Sequence, residues 1–212
     1  MPDPSRLALF VGAALLLLVV PGPSVLYIVT QSVSHGRRAG IASVAGITTG
    51  TLVHIAAATV GLSALLASSA LAFDVVKYLG AAYLIAVGIR RLAGLERDRE
   101  PHLRRSRDLG RLYRQGIVVN VLNPKTALFF LAFLPQFVEP ERGAAWLQIL
   151  ALGLLFAALG FVSDGVWAFV AGTLGERLRR STRFPAVQRY VSGSVFVGLG
   201  AVAALTAPAK SS

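Results

Sequence analysis

The sequence predicts an all-α integral membrane protein, with six transmembrane helices set as two inverted three-helix repeats whose first helices are broken. Three observations lead there. The 212-residue chain is 55% hydrophobic, with a mean hydropathy of +0.66, which suits a multi-span membrane protein and few soluble domains. Its apolar residues fall into six runs, each near the ~20 residues that cross ~30 Å of hydrocarbon. The first run of each half is interrupted by proline, at Pro21-Gly22-Pro23 and at Asn123-Pro124.

The first run, Leu7 to Gln31, holds no charged side chain over 25 positions. Each proline in it removes a backbone donor and clashes with the preceding turn. In a bilayer such a break is tolerated only where it is buried or lines a wet cavity, so Pro21, Gly22, Pro23 and the adjoining Ser24 are candidate binding residues. Asp3 and Arg6 do not make the basic start of a signal peptide, and no small-x-small site follows; the reading is a retained first helix. The second span runs from about residue 39 to 67. Gly36, Gly40, Gly46 and Gly50 are expected to share a face for close helix contact, and His54 lies near its middle. The third span covers about 71–89, where Asp74 and Lys77 can pair three residues apart.

Residues 90–114 carry nine arginines and Pro101, and read as a solvated loop lying against anionic headgroups. Apolar sequence returns over about 116–138, interrupted by Asn123-Pro124-Lys125. The fifth span covers about 144–172 and contains Asp164, eight residues before its expected end at Gly172. The sixth is about 190–207. The chain is thus one domain, 1–212: repeat one 1–90, basic loop 91–114, repeat two 115–212.

Orientation follows from the basic residues. The connectors after spans one, three and five hold sixteen of the 21, whereas the termini and the other connectors hold only Arg6, Arg142 and Lys210. The odd connectors are therefore expected in the cytoplasm and both termini outside. This placement also accounts for the net charge of +11 without a nucleic-acid partner. Three spans per half inverts the second half. The likeness of KYLGAAYLIAVG (77–88) to RYVSGSVFVGLG (189–200) is weak alone. Its force comes from the broken helices at equivalent places, a transporter pattern with substrate near the midplane.

Three stretches carry a family resemblance: PGPSVLYIVTQSVSHGRRAGIASVAGITTG (21–50), KYLGAAYLIAVGIRRL (77–92) and GIVVNVLNPKTALFFLAFLPQFV (116–138). Together they make the chain resemble the LysE/RhtB family of bacterial amino-acid exporters. The resemblance implies a multi-pass protein of the bacterial cytoplasmic (inner) membrane that exports an amino acid or close derivative on an ion gradient. It does not fix the substrate. Part of the wider superfamily handles other solutes, including metal cations.

An amino acid offers a carboxylate and an ammonium. The half-helices starting at Pro23-Ser24 and Pro124-Lys125 would present free N–H groups and positive dipole ends to the carboxylate. Lys125 is expected to bind that carboxylate, to neutralise Asp164 or to serve structurally. Asp164 is costly unpaired, at roughly 2.5–3.5 kcal/mol on insertion scales, so it is expected to face water, a cation, a substrate ammonium or Lys125, and is the candidate proton carrier. Asn123 is expected to satisfy carbonyls freed by Pro124. His54 and Lys77 are secondary candidates.

No G-x-S-x-G, H-E-x-x-H or phosphate-loop motif is present, so no catalytic residue, cofactor or metal is expected. The expected partners are an amino-acid substrate, protons or another coupling ion, and the lipid bilayer, with homo-oligomer formation open. Two other readings remain: a cation exporter using Asp164 and His54 as ligands, and a non-transporting membrane assembly protein.

Overall fold

The fold is that of a computed structural model, which describes residues 3–68 and 108–179 and positions 75, 78, 82, 85, 86, 89, 90, 92–94, 190, 194, 197, 198 and 201. The expected Asp74–Lys77 pair and most of spans three and six lie outside the described residues. Among the described residues every regular element is helical.

Helix α1 (Pro4–Val19) is capped by Asp3, whose carboxylate accepts from Ser5 N at 2.9 Å, and Pro4 sits where a missing N–H does no harm. It is apolar all round. Phe10, Ala14 and Leu17 are buried on one stripe, while Leu9, Leu16 and Val19 face outward, as lipid-facing residues do. It stops where Pro21 cannot donate to the preceding turn. Helix α2 (Pro23–His35) continues after three residues at an angle of 49°. The next half repeats the arrangement. Helix α4 (Leu109–Val121) meets a second segment, Pro124–Phe137, at 47°. That segment begins as helix α5 (Pro124–Leu128), widens to a π-helical turn (Phe129–Phe133) and tightens to 3-10 geometry (Leu134–Phe137) around Pro135.

The long helices α3 (Arg37–Ser68) and α6 (Ala145–Arg179) follow the two broken ones. Their stretches 37–61 and 145–173 are each long and apolar enough to cross a membrane, as is each bent pair taken as one span. The turn into each long helix contains a glycine at a positive φ with an extended ψ, Gly36 (φ 83°, ψ −180°) and Gly143 (φ 131°, ψ −179°), a region open essentially to glycine alone. Helix α3 lies between α4 and α6, and α2 packs on both α3 and α6.

Three expectations are corrected. The four glycines do not share one face. Gly36 is in the turn before α3; Gly40 meets Ser32 and Ala168, whereas Gly46 and Gly50 meet α4. The step from Gly40 to Gly46 is six residues, which turns the helix to its other side. At the α3–α4 crossing a Cβ on Gly116 would lie 2.9 Å from the Ser43 carbonyl oxygen and 3.1 Å from the Gly46 Cα, so this crossing requires glycine. Secondly, the fourth span starts at Leu109 rather than near Gly116. Asp108 caps it by accepting from Gly110 N at 3.0 Å, and Leu112 is fully buried, so the last of the arginine-rich stretch is helix rather than loop. Thirdly, the apolar span ends at Thr173, beside the expected Gly172, but helix α6 itself runs on to Arg179, which puts Asp164 fifteen residues, or ~22 Å, from the helix end.

Buried apolar side chains form two layers. The larger surrounds Phe10, Phe129, Phe130, Phe133, Phe137 and Phe156 at the end of the bundle where α1 begins, with ring contacts of 4.2 Å (Phe129–Phe156) to 5.8 Å (Phe10–Phe129). The smaller layer, Tyr27, Ile28, Val44, Ile47 and Ala168, lies toward the other end. A cavity separates them.

Candidate substrate site

The cavity forms where the two broken helices meet. A Cβ placed on Gly22 would lie 3.0 Å from Lys125 Cδ, and the two starting residues are tied directly, Asn123 Nδ2 donating to Ser24 Oγ at 2.8 Å. The space between measures about 40 Å³, room for about three waters. Gly22, Ser24 and Val25 line it from α2, Asn123, Lys125 and Thr126 from the second break, Thr48 and Thr51 from α3, and Asp164 from α6.

The two half-helix starts differ. Asn123 caps α5 by accepting from Lys125 N at 3.0 Å. Gly22 has no side chain to cap α2, so the first-turn N–H groups of Ser24 and Val25 lack an intrahelical acceptor. Asn123 thus fills a different role from that expected. It satisfies a donor of the following half-helix and the Ser24 hydroxyl, not carbonyls before Pro124. The freed backbone there closes on itself, Leu122 N donating to Val118 O and Asn123 N to Asn120 O, each at 3.0 Å. The carbonyl capping falls instead to Lys125, whose Nζ donates to Val20 O beside the first break. Lys125 is 8% exposed and therefore does not snorkel.

Asp164 is 6% exposed and sits on the cavity wall. Among the described residues none hydrogen-bonds its carboxylate, and the charge of Lys125 acts on it. Pro21, Pro23 and Pro124 create the breaks but do not line the cavity, because a proline at the first helical position supplies a fixed φ and a missing donor. His54 lies outside the lining. Its Nε2 is 3.0 Å from the Asn120 carbonyl oxygen and its ring stacks 6.0 Å from Phe130, so it is an interface residue and does not join Asp164 as the cation-ligand reading requires. Lys77 falls outside the described residues.

The residue that sequence reasoning missed is Asn120. Its Oδ1 accepts from Ser24 Oγ at 3.0 Å and from Thr126 Oγ1 at 2.9 Å, and its Nδ2 donates to Ile47 O at 2.7 Å and Thr51 Oγ1 at 2.8 Å. That uses the full capacity of one amide and joins α2, α3, α4 and α5 around the site. The available signal was a lone amide in the apolar run GIVVNVL, one turn before the break.

A family model described as LysE type translocator matches residues 15–207. The homoserine/homoserine lactone efflux protein of Salmonella typhimurium is 34% identical over 192 residues, covering 89% of this chain and 91% of that protein. The leucine efflux protein of Enterobacter sp. (strain 638) is 25% identical over 193 residues, covering 91% and 92%. No solved structure matches significantly. With its paired broken helices and apolar spans, the chain belongs to the LysE-type translocators, and is a multi-pass protein of the bacterial inner membrane.

Proposed function

We propose that the chain is a secondary exporter of an amino acid or close derivative, working by proton antiport. The observation that carries this is Asp164, buried on the wall of a cavity that both helix breaks share, with Lys125 on the same wall. The substrate carboxylate binds the uncapped start of α2, at the N–H groups of Ser24 and Val25, with Lys125 beside it. The ammonium binds Asp164. Proton and ammonium compete for that one carboxylate, so inward proton movement drives outward substrate movement, given different affinities in the two states.

The similar bends of 49° and 47°, each followed by a glycine turn and a long helix, support two inverted repeats, 1–90 and 115–212, joined by the basic stretch 91–114, which becomes helix α4 from Leu109, with six spans and both termini outside. On that orientation the phenylalanine layer closes the outer side. Relatives named for homoserine and leucine efflux support the substrate class.

The test is gradient-driven amino-acid flux in proteoliposomes, with insertion measured separately. Asp164→Asn keeps shape and some hydrogen bonding, and is expected to abolish export driven by a pH gradient. A variant that exports at the wild-type rate and still responds to the gradient returns Asp164 to a structural role.

A further inference from the structure

The cavity wall formed by α6 has a pattern of its own. Ala157, Gly160 and Asp164 follow at i, i+3 and i+7, on one face of the helix, and all three border the space. Ala157 and Asp164 are ~10 Å apart along the axis. Asp164, more than nine-tenths buried and without a hydrogen-bond partner among the described residues, marks the ligand end of this wall. Toward Ala157 the wall is made of the two smallest side chains available, beside Phe156. The depth of the space there can be read from Gly160. A Cβ added to it would lie 3.4 Å from the Leu18 Cδ2 methyl, in ordinary van der Waals contact. The gap between α1 and α6 at this level is therefore one methyl group deep.

We propose that Gly160 and Ala157 set the limit on substrate side-chain size, admitting short unbranched side chains and excluding branched and aromatic ones. The proposal rests on the export reading, in which Asp164 holds the ammonium. With the ammonium at Asp164 and the carboxylate at the start of α2, the substrate Cα lies between them, and its side chain has the Gly160–Leu18 gap to enter. One methylene more or less in an apolar pocket changes selection by roughly 10- to 200-fold, so this gap is sufficient to discriminate.

The experiment uses full-length protein in proteoliposomes and a panel of amino acids graded by side-chain size, from glycine and alanine through a linear two-carbon side chain to leucine and phenylalanine. The wild type is expected to export the short linear members at least tenfold faster than leucine. Gly160→Ala fills the gap without a clash and should lower the rate for a linear two-carbon side chain, whose end methyl enters it, about tenfold relative to alanine. Ala157→Gly should narrow the preference against leucine. Wild-type export of leucine as fast as alanine overturns the size limit, as does an unchanged ranking in both variants. Correctly inserted wild type that exports no panel member overturns the export reading and the size limit together.

Discussion

Asn120 and Asp164 show how unevenly single residues could be read from the chain. A carboxylate in an apolar span is expensive enough to demand a partner, so Asp164 was legible from its place in the sequence, and so was Lys125. An amide is cheaper to bury, and Asn120 looked like filler although it makes four side-chain hydrogen bonds. What hid its role is that three of its four partners lie about 70 to 96 positions away in sequence. Asn120→Ala leaves the Ser24 and Thr126 hydroxyls without their acceptor and the Thr51 hydroxyl without its amide donor. Each unmade buried bond costs about 1–3 kcal/mol in soluble proteins, and nearer ~0.6 kcal/mol inside membranes. The expected outcome is a destabilisation of about 2 kcal/mol, read as a lowered unfolding midpoint in detergent, together with weaker substrate binding. An unchanged midpoint would mean that water replaces the amide.

At the level of elements the breaks were the strongest signal, because proline acts through local geometry that no tertiary contact can undo. Their meeting was also foreseeable from two proline breaks falling at like places in the chain. Their difference was not: which half-helix start stays open depends on Gly22 having no side chain and on Asn123 folding back onto its own helix. The glycine pattern of α3 was misread for a related reason, since spacing gives a face but not which neighbour covers it. Pro23→Ala restores a donor in the first turn of α2 and relaxes the constraint that ends α1. The expected result is a straighter first span and substrate affinity reduced about tenfold, measured by equilibrium binding to purified protein. Affinity equal to the wild type would show that Pro21 and Gly22 hold the break without Pro23.

For the whole molecule, the distribution of basic residues led to an expected membrane topology; among the described residues two helices are long and apolar enough to cross a membrane, or four spans if each bent pair is one. At the end of the bundle the contacts of Arg6 with Glu139 and of Asp3 with Arg142 were illegible, because each joins residues more than 130 positions apart. There Arg6 pairs with Glu139 at 3.3 Å, Arg142 reaches Glu139 at 3.4 Å and Asp3 at 3.6 Å, and Gln148 clamps both backbone groups of Glu139 at 3.0 and 2.7 Å. Exposed pairs of this kind contribute little stability. Ser5, through its hydroxyl and its backbone N–H, holds the Asp3 carboxyl below the usual carboxylate range. A carboxyl lowered in the folded state adds stability above its ordinary value and loses it only as pH falls through the lower one, so the Asp3–Arg142 contact should survive mild acid. On the export reading this rim must part for release. Glu139→Gln is expected to leave the unfolding midpoint within ~0.5 kcal/mol of the wild type and to speed release in proportion. A slower release measured by rapid efflux would show that the rim guides opening instead of holding it shut.

The turn at Phe129–Phe133 has one residue more than an α-helical turn would hold. Such a turn is a stored register slip. If it tightens to α geometry, everything beyond it turns by ~100° and shifts by ~1.5 Å along the axis, without uncoiling the helix. Phe133 and Phe137, whose tilted rings lie 5.0 Å apart in the layer over the cavity, would swing together off Phe10 and Phe129. The second half-helix therefore has a way to move its aromatic rings aside by rotation alone, while Asn123 and Lys125 stay fixed at its base.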